Sequence, residues 1–351
     1  MNPELFFSLA RPLSPIYASL MRLRERLYDK NILLKSHRLD KPVISIGNLS
    51  MGGTGKTPHV IEIARFLVDN SFKVCVLTRG YGSKAGKGPL LVKDDFKDTS
   101  ILGDEPVLIY ESVKGVNVVV GSNRLGGAIW ARKNLDVDVF LLDDGFQHLA
   151  LRRDIDIVLL PYEDPFSGGR VFPGGYLREP ISALKRANCF ILTSSPDFYD
   201  KKYVKDELQD MFPHIPVFLS KKIFKNISNL KGDILSPGFL EAKNVIGFCG
   251  IAKPKGFKNT LIELGCNVIK FVSFKDHYEY KEKDIKDIYE MLKISKAHFL
   301  MTTSKDGVKL DNILKQVNNK ELYKSFLEKL LILNIKVEIE PGFWQFLKGR
   351  L

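Results

Sequence analysis

Short apolar runs alternate with longer amphipathic segments along most of this chain. Apolar runs of strand length, bounded by glycine, proline or aspartate, predict buried strands, and the segments between them repeat their apolar residues with helical spacing. Such alternation is typical of a mostly parallel, doubly wound sheet with helices on both faces, so we expect an α/β fold. The predicted strands of this first sheet are the run beginning at Ile44 and residues 73–78, 116–120, 137–142, 155–160 and 189–193.

A second and smaller α/β run follows the first. Between residues 215 and 240 the pattern loosens into short extended pieces with Gly232 and Pro237, and strands are again predicted at 244–249, 268–273, 298–302 and near 331–337. A chain of 351 residues is long enough for two domains. The predicted organisation is an N-terminal helical segment at 1–40, a main domain at 41–220, a linker at 221–240 and a smaller C-terminal domain at 241–351.

The N-terminal segment predicts an amphipathic helix that starts at Ser14-Pro15. Its apolar stripe comprises Ile16, Leu20, Leu23 and Leu27, and Arg22, Arg24 and Arg26 fall largely on the other side. Two interpretations are open. Periodicity alone favours a helix packed on its own domain, because most amphipathic helices bury their stripe internally. A helix lying in a membrane interface has the same pattern.

Composition narrows the class of protein but leaves its partner open. A hydrophobic share of 44% with 27% charged residues indicates a globular chain, and four scattered cysteines without CxxC spacing indicate buried thiols in a reducing compartment. No apolar run is long enough to span a bilayer and no signal peptide pattern is present, so we expect a cytoplasmic location. The net charge of +12 suits nucleic acid, an anionic membrane or a polyanionic substrate.

A glycine-rich turn after the first strand has the layout of a phosphate-binding loop. Its glycines allow successive backbone N–H groups to face one anion at the start of a helix predicted over residues 56–69. Lys56 would supply a charge for the outer phosphates and Thr57 a hydroxyl for Mg²⁺, although Ser50 stands where the usual pattern has its first glycine. This predicts a P-loop NTPase-like fold. The predicted nucleotide-binding residues are Gly52, Gly53, Thr54, Gly55, Lys56 and Thr57.

Further candidates lie where predicted strands end. Asp143 and Asp144 follow an apolar strand, and two adjacent carboxylates repel unless a cation lies nearby, so with Thr57 they form a predicted Mg²⁺ site. Asp104 precedes Glu105-Pro106 at a predicted helix start, which is typical of a helix cap. The loops at 79–84 and 161–180 are rich in glycine and aromatic residues, and long loops of this kind are often functional.

Seven motifs in a fixed order add a resemblance to a known family. They are Gly-Asn-Leu-Ser-x-Gly-Gly-Thr-Gly-Lys-Thr-Pro, Arg-Gly-Tyr-Gly, Gly-Asp-Glu-Pro, Asp-Asp-Gly-Phe-Gln-His, Leu-Arg-Glu-Pro, Asp-His-Tyr and Thr-Thr-Ser-Lys-Asp. Together they resemble tetraacyldisaccharide 4′-kinase, the lipid A kinase of Gram-negative bacteria, over about residues 1 to 335. The resemblance implies phosphoryl transfer from ATP to the 4′-hydroxyl of a lipid A disaccharide precursor at the inner face of the inner membrane.

The same resemblance implies roles for individual residues. Lys56 and Thr57 would hold the nucleotide and Mg²⁺, while Asp104 looks like the catalytic base and His277 its partner, which replaces the cap interpretation of Asp104. His277 belongs to the second predicted domain, so the pair would form only when the domains close over substrate. The N-terminal helix shifts toward the membrane interpretation. The implied contacts to the substrate headgroup are Glu105, Arg124, Gln147, His148, Arg178 and Glu179.

The glycine-rich loop is also compatible with a function of another class. The loop also looks like that of partitioning and septum-site ATPases, which switch on a membrane or on DNA without transferring phosphate to a substrate. Those proteins carry a lysine where this chain has Met51, which argues against that class. A GTPase is also disfavoured, because Ser304-Lys305-Asp306 lacks the Asn-Lys-x-Asp spacing. Nucleic-acid binding rests on net charge alone, so we expect no nucleic-acid partner.

Overall fold

The computed structural model describes residues 3–80, 83–84, 86, 88–194, 203–314 and 320–351. Four short 3₁₀-helices accompany the α-helices in these ranges, at Arg11–Leu13, Ser167–Gly169, Ile181–Arg186 and Pro237–Leu240. The α-helices are α1 Pro3–Ala10, α2 Ser14–Asp29, α3 Lys56–Asp69, α4 Thr99–Leu102, α5 Asp104–Ser112, α6 Arg124–Asn134, α7 Tyr203–Met211, α8 Pro254–Glu263, α9 Glu282–Ser295, α10 Ser304–Leu314, α11 Lys320–Lys329 and α12 Pro341–Lys348.

The described strands form one continuous mixed sheet. They are β1 Val43–Asn48, β2 Val74–Thr78, β3 Leu90–Leu91, β4 Asn117–Val120, β5 Val139–Asp143, β6 Ile155–Pro161, β7 Cys189–Thr193, β8 Val217–Ser228, β9 Ile234–Leu235, β10 Asn244–Cys249, β11 Asn267–Ser273, β12 Phe299–Thr303 and β13 Leu330–Ile339. Their order is β11-β10-β12-β13-β8-β7-β6-β1-β5-β2-β4-β3, with β9 beside β8. The predicted mostly parallel α/β sheet is confirmed.

The first half of the sheet is parallel from β4 through β7 and to the start of β8, and its strands are buried on both faces. Helices on the two sides exclude water from the strands, which is why their sequences are continuously apolar rather than alternating. Helix α3 follows β1 directly through the glycine-rich turn. Because β1, β5 and β2 are parallel neighbours, their carboxyl ends lie side by side and place Asn48, Thr78 and Asp143 at one edge of the sheet.

Strand β8 connects the two halves. Its first residues pair in parallel with β7, and Ser220 to Ser228 pair antiparallel with β13. The interval 221–240, predicted as a linker, thus contains most of β8 and the short β9. Its apolar residues are spaced irregularly because β8 changes neighbours along its length. The division into domains stays a prediction. Strand β8 runs through the predicted boundary between residues 220 and 221.

The second half consists of β10 to β13 with α8 to α11, and the chain then returns to the first half. Helix α12 buries Phe343 and Leu347 in the core beneath α3, where Trp344 stacks on Phe66 with ring centroids 4.5 Å apart. Helix α10 packs on α5 of the first half. The sequence did not predict α7, α10 or α11.

Helix α2 packs on the loop between β6 and β7, and the face it uses differs from the predicted stripe. Tyr17 Oη donates to the carbonyl of Arg178 at 3.2 Å, and Ala18 is buried. Leu27 is partly buried, whereas the other three stripe residues, Ile16, Leu20 and Leu23, are exposed. Among the described residues, no helix is both long and apolar enough to cross a bilayer.

The expectation that Arg24 lies on the free polar face is wrong. Its guanidinium donates to the carbonyl of Gln147 at 2.9 Å and lies 3.7 Å from the Glu179 carboxylate. The angular offset between the packed face and the apolar stripe brings Arg24 to the protein side. Arg22 and Arg26 are exposed as expected.

Candidate active site

The glycine-rich loop takes up a conformation suited to an anion. Gly52 and Gly55 have φ values of 113° and 82°, which are left-handed backbone conformations that favour glycine, and α3 begins at the next residue, Lys56. The loop is anchored by Met51 N, which donates to the carbonyl of Tyr176 at 2.7 Å. The Thr54 hydroxyl is buried without a hydrogen-bond partner among the described residues. Such a hydroxyl next to a helix N-terminus fits a phosphate oxygen.

His59 is a loop-supporting residue that the sequence reasoning missed. Its Nδ1 lies 2.8 Å from the Gly55 carbonyl and its Nε2 lies 2.9 Å from the Ser220 hydroxyl of β8. Burial lowers the pKa of His59 to about 4, so the ring is neutral and can donate through Nδ1 to the carbonyl. The ring therefore joins the phosphate loop to the strand that connects the two halves. The sequence signal that could have indicated this role is a histidine in the first turns of the helix that follows the loop.

Lys56, Asp143 and Asp144 lie together beyond the sheet edge. Lys56 Nζ is 3.6 Å from Asp144 Oδ1 and 3.5 Å from Asn48 Oδ1, and Thr78 donates to Asp143 Oδ2 at 3.0 Å. Burial, together with the charges of Glu105 and Asp144, raises the pKa of Asp143 to about 7. A buried carboxyl with a raised pKa beside a second carboxylate is an environment that a cation would relieve.

Asp144 is held by Arg178 from the loop between β6 and β7. Both Asp144 carboxylate oxygens accept from Arg178 Nη1, at 3.0 and 2.9 Å, and Asp144 has a φ of 49°. Burial opposes ionisation of Asp144, but the charges of Lys56 and Arg178 outweigh it and lower its pKa. The two aspartates thus differ, because Asp144 is an ion-paired carboxylate whereas Asp143 is largely desolvated.

Three of the predicted headgroup residues surround this pair. Arg124, buried at the start of α6, donates to the backbone carbonyl of Asp144 at 3.0 Å, and Gln147 Nε2 donates to the carbonyl of Asn48 at 3.0 Å. His148 Nε2 is buried without a hydrogen-bond partner among the described residues. Burial and the neighbouring arginines, Arg124 foremost, lower the pKa of His148 to about 4. All three border the same cleft as the phosphate loop.

Glu179 is placed differently from the other predicted headgroup residues. It is buried and forms ion pairs with Arg186 and, at 3.7 Å, with Arg24 of α2. Arg186 also pairs with Glu25 of α2 at 2.9 Å. In this arrangement Glu179 attaches the N-terminal helix beside the site, and its contact with a headgroup stays a prediction.

Asp104 and His277 meet although they are far apart in the sequence. His277 Nδ1 lies 3.2 Å from Asp104 Oδ1, and the other oxygen, Asp104 Oδ2, is buried without a hydrogen-bond partner among the described residues. Gly103 is the N-cap of α5, and the Asp104 side chain faces His277 and Lys309 of the second half. Burial opposes ionisation of Asp104, but the bond to His277 and the charges around it lower its pKa.

The sequence predicted no role for Lys305, although its Thr-Thr-Ser-Lys-Asp segment is one of the seven motifs of the family resemblance. It is the second residue of α10, and its ammonium lies 3.1 Å from His277 Nε2 and 3.5 Å from Glu105 Oε1. Burial opposes its charge, but Asp104, Glu105 and Asp276 outweigh this and raise the pKa of Lys305. Only the folding of α10 onto α5 brings this cation to the Asp104 site.

One cleft joins most of these groups. It runs from the phosphate loop past Asp143 and Asp144 to His277 and Lys305, and its far wall includes Lys222. Burial and the charge of Lys253 lower the pKa of Lys222. Among the described residues, no group of three or more histidines, cysteines, aspartates and glutamates could hold a metal by itself. Of the glycine-rich loop at 79–84, Tyr81 and Gly82 lie outside the described residues.

Comparison with known proteins identifies a family. The family model described as tetraacyldisaccharide-1-P 4′-kinase, LpxK, matches residues 6–351. A tetraacyldisaccharide 4′-kinase of Pelobacter propionicus is 40% identical over 319 residues, covering 90% of this chain and 86% of the relative. The corresponding protein of Geobacter metallireducens is 36% identical over 336 residues, covering 95% and 96%.

A solved structure agrees with this match in fold. The crystal structure of the "apo" form of LpxK from Aquifex aeolicus in complex with ATP superposes with a TM-score of 0.75 at 32% sequence identity. The alignment covers 98% of this chain and 99% of that chain. The likeness therefore extends over both halves of the sheet and is not confined to the phosphate loop.

Proposed function

The chain belongs to the tetraacyldisaccharide-1-P 4′-kinase family, and from this premise we propose how its own residues perform the reaction. The γ-phosphate of ATP is transferred to the 4′-hydroxyl of a tetraacyldisaccharide 1-phosphate, a precursor of lipid A. The observation that carries the assignment of roles is the 3.2 Å contact between Asp104 and His277, because His277 lines the same cleft as the phosphate loop. A proton acceptor and a phosphate site in one cleft are what a kinase needs for a sugar acceptor.

The nucleotide phosphates bind at the N-terminus of α3. Backbone N–H groups of the loop residues Gly52 to Gly55 face the anion, the buried Thr54 hydroxyl gains a partner, and Lys56 leaves Asp144 for the phosphates. Thr57, Asp143 and Asp144 would hold Mg²⁺, which would neutralise phosphate charge. Their hydroxyl and carboxylate oxygens are the hard ligands that Mg²⁺ prefers.

Asp104 acts as the base. Its Oδ2 is buried and lacks a hydrogen-bond partner among the described residues, so this oxygen is available to accept the proton of the 4′-hydroxyl, while Oδ1 is held by His277. The attacking oxygen forms its bond to the γ-phosphorus as the bond to the β,γ-bridging oxygen breaks, and ADP leaves. The proton of the hydroxyl goes to Asp104.

The disaccharide headgroup binds between the aspartate pair and helix α2. Arg124 and Arg178 suit a sugar that already carries a phosphate, because one guanidinium group can donate two parallel hydrogen bonds to the oxygens of one phosphate. His148 Nε2 has no hydrogen-bond partner among the described residues and can bond a hydroxyl. The residues assigned to the headgroup are Glu105, Arg124, Gln147, His148, Arg178 and Glu179.

The protein binds peripherally to the cytoplasmic face of the bacterial inner membrane through α1 and α2. We define the apolar N-terminal surface as Leu9, Leu13, Ile16, Leu20 and Leu23, which are all exposed. Arg22 and Arg26 extend from the same helix and would meet anionic lipid. Because α2 also contacts Gln147 and Glu179, a membrane under this surface would hold acyl chains beside the proposed headgroup site.

The test is phosphate transfer with a defined acceptor. Purified protein is incubated with γ-labelled ATP and Mg²⁺, with or without a monophosphorylated lipid A disaccharide in detergent micelles. We expect label in the lipid and ATP consumption that depends on the lipid. The partitioning and septum-site ATPase alternative predicts ATP hydrolysis without labelled lipid, and that outcome would contradict the kinase assignment.

A further inference from the structure

Lys305 occupies a position that the proposed chemistry has not yet used. Its ammonium lies among three carboxylates and one imidazole, 3.1 Å from His277 Nε2, 3.5 Å from Glu105 Oε1, 3.5 Å from Asp276 Oδ1 and 3.9 Å from Asp104 Oδ2. Its side chain is only 18% exposed. A buried lysine that reaches both members of an acid–base pair is a candidate for controlling their protonation.

The contact between Lys305 and His277 determines which ring nitrogen of His277 carries a proton. A lysine ammonium has only donors, so at 3.1 Å the ring nitrogen Nε2 must present its lone pair. The remaining nitrogen, Nδ1, then carries the ring proton and donates it to Asp104 Oδ1 at 3.2 Å. The chain Lys305 to His277 to Asp104 is therefore consistent with one arrangement, a neutral ring between an ammonium and a carboxylate.

We propose that Lys305 is a positioning residue that fixes His277 as the neutral Nδ1–H tautomer, so that a neutral donor holds Asp104 Oδ1 and Oδ2 stays ready as the base for the acceptor hydroxyl. The inference rests on the proposed function, since it concerns the proton of the 4′-hydroxyl. That proton passes to Asp104 Oδ2 as the new oxygen–phosphorus bond forms, and Lys305 itself neither gains nor loses a proton. If His277 carried a second ring proton, the positive charge of the imidazolium would lower the pKa of Asp104 and make it a weaker base.

The charges around the ring give the direction of the effect. The hydrogen bond to Asp104 raises the pKa of His277, and Lys305 opposes it, while Asp276 adds a further carboxylate 3.9 Å from Nε2. Glu105 faces Lys305, and Lys309 lies 3.8 Å from Asp104 Oδ2. Loss of Lys305 would leave Asp104 and Asp276 as the charges nearest the ring, so the ring should take up a second proton at higher pH.

The kinetic test compares Lys305→Met, Lys305→Gln and Lys305→Arg with the wild type. For Lys305→Met we expect kcat to fall about 10- to 100-fold, which is a part of the roughly 10²- to 10⁴-fold that general base catalysis contributes. The KM values for ATP and lipid should change little, and the acid limb of the kcat profile should move to higher pH. Arginine, which retains charge and donors, should restore much of the activity, and glutamine, an uncharged donor, should be intermediate.

The matched control is Lys286→Met in α9, where an exposed lysine pairs with Glu282 at 3.0 Å. It should behave as the wild type in activity and melting temperature. A Lys305→Met enzyme with wild-type kcat and pH profile would overturn the proposal. An equal loss at every pH, not restored by arginine, would also overturn it, because that is the behaviour of a purely structural residue.

Two further measurements separate positioning from other roles. In the His277→Ala background, Lys305→Met should cost little more, since groups that act as a unit are non-additive, and multiplicative losses would overturn the proposal. Two-bond ¹⁵N–¹H NMR spectra of histidine-labelled protein should assign the Nδ1–H tautomer to His277 in the wild type and a mixed or doubly protonated ring in Lys305→Gln. An Nε2–H tautomer in the wild type would refute it.

These readouts also separate the two proposals. A wild-type protein that labels no lipid contradicts the proposed function, whereas an active wild type with an unaffected Lys305→Met variant contradicts only the inference. The NMR measurement needs no turnover, so the tautomer assignment can be tested in either case.

Discussion

The apolar N-terminal surface supports a quantitative prediction about membrane binding. Its five side chains are between 52% and 70% exposed, so roughly half of each is still in contact with water. Complete burial of a leucine or isoleucine side chain contributes about 1.5–3 kcal/mol, so transfer of the exposed half into lipid should contribute about 1 kcal/mol per residue. Replacing Ile16, Leu20 and Leu23 by serine should therefore remove about 3 kcal/mol of binding free energy, which is about 100-fold in the vesicle partition constant.

The same triple substitution should leave the fold almost unchanged. Exposed positions away from caps and cores usually alter stability by no more than about 0.5 kcal/mol each, and these three side chains point away from the packed face of α2. Leu27 is a poorer choice because it is partly buried. Any binding that the variant retains should weaken with added salt, since Arg22 and Arg26 attract anionic lipid through a screened interaction.

The assay is cosedimentation with anionic phospholipid vesicles, with the melting temperature measured on the same samples. The matched control replaces Ile262 and Ile294, exposed isoleucines of the second half, by serine. The control should bind vesicles as the wild type does. Unchanged vesicle binding by the triple variant, or a large drop in its melting temperature, would refute the reasoning that this surface faces lipid.

Two other predictions concern the cleft. Lys56→Ala should fold normally and lose about 10²- to 10³-fold in kcat, because one preorganised charge on the transferring phosphate is removed; near-normal turnover in the labelling assay would remove Lys56 from the phosphate site. Asp104→Ala and His277→Ala should each lower kcat, and the double variant should be scarcely slower than the slower single variant. Losses that multiply in this cycle would mean that the two residues act independently.

Local sequence was sufficient for most of the sheet strands and for the phosphate loop. A strand such as β5 is buried on both faces, so its residues are continuously apolar, and the glycines at 52 and 55 are required by the local backbone. These features depend on neighbours in the chain, which is why the boundaries of α3 were predicted to the residue. The aspartates after β5 were found in the same way, because parallel strands present their carboxyl ends at one edge.

Helices of the second half were harder to predict. Helix α10 contains Gly307 and a cluster of charges in its first turn, and it is buried mainly through contacts with α5 and β13. Strand β8 was interpreted as a loosened linker because it pairs first with β7 and then with β13, and its apolar residues follow no single period. Propensity and periodicity describe a segment by itself, whereas these segments are stabilised by their packing partners.

The sequence by itself determined the fold class, the phosphate loop and, through its ordered motifs, the family. Through the same resemblance it implied the pair of Asp104 and His277, but it assigned no role to Lys305. Only the tertiary structure decided that α10 packs on α5 and so brings an ammonium, an imidazole and a carboxylate into one chain of contacts. The physical reason is that proton positions depend on distances of about 3 Å between side chains, and such distances follow from packing between distant segments rather than from local pattern.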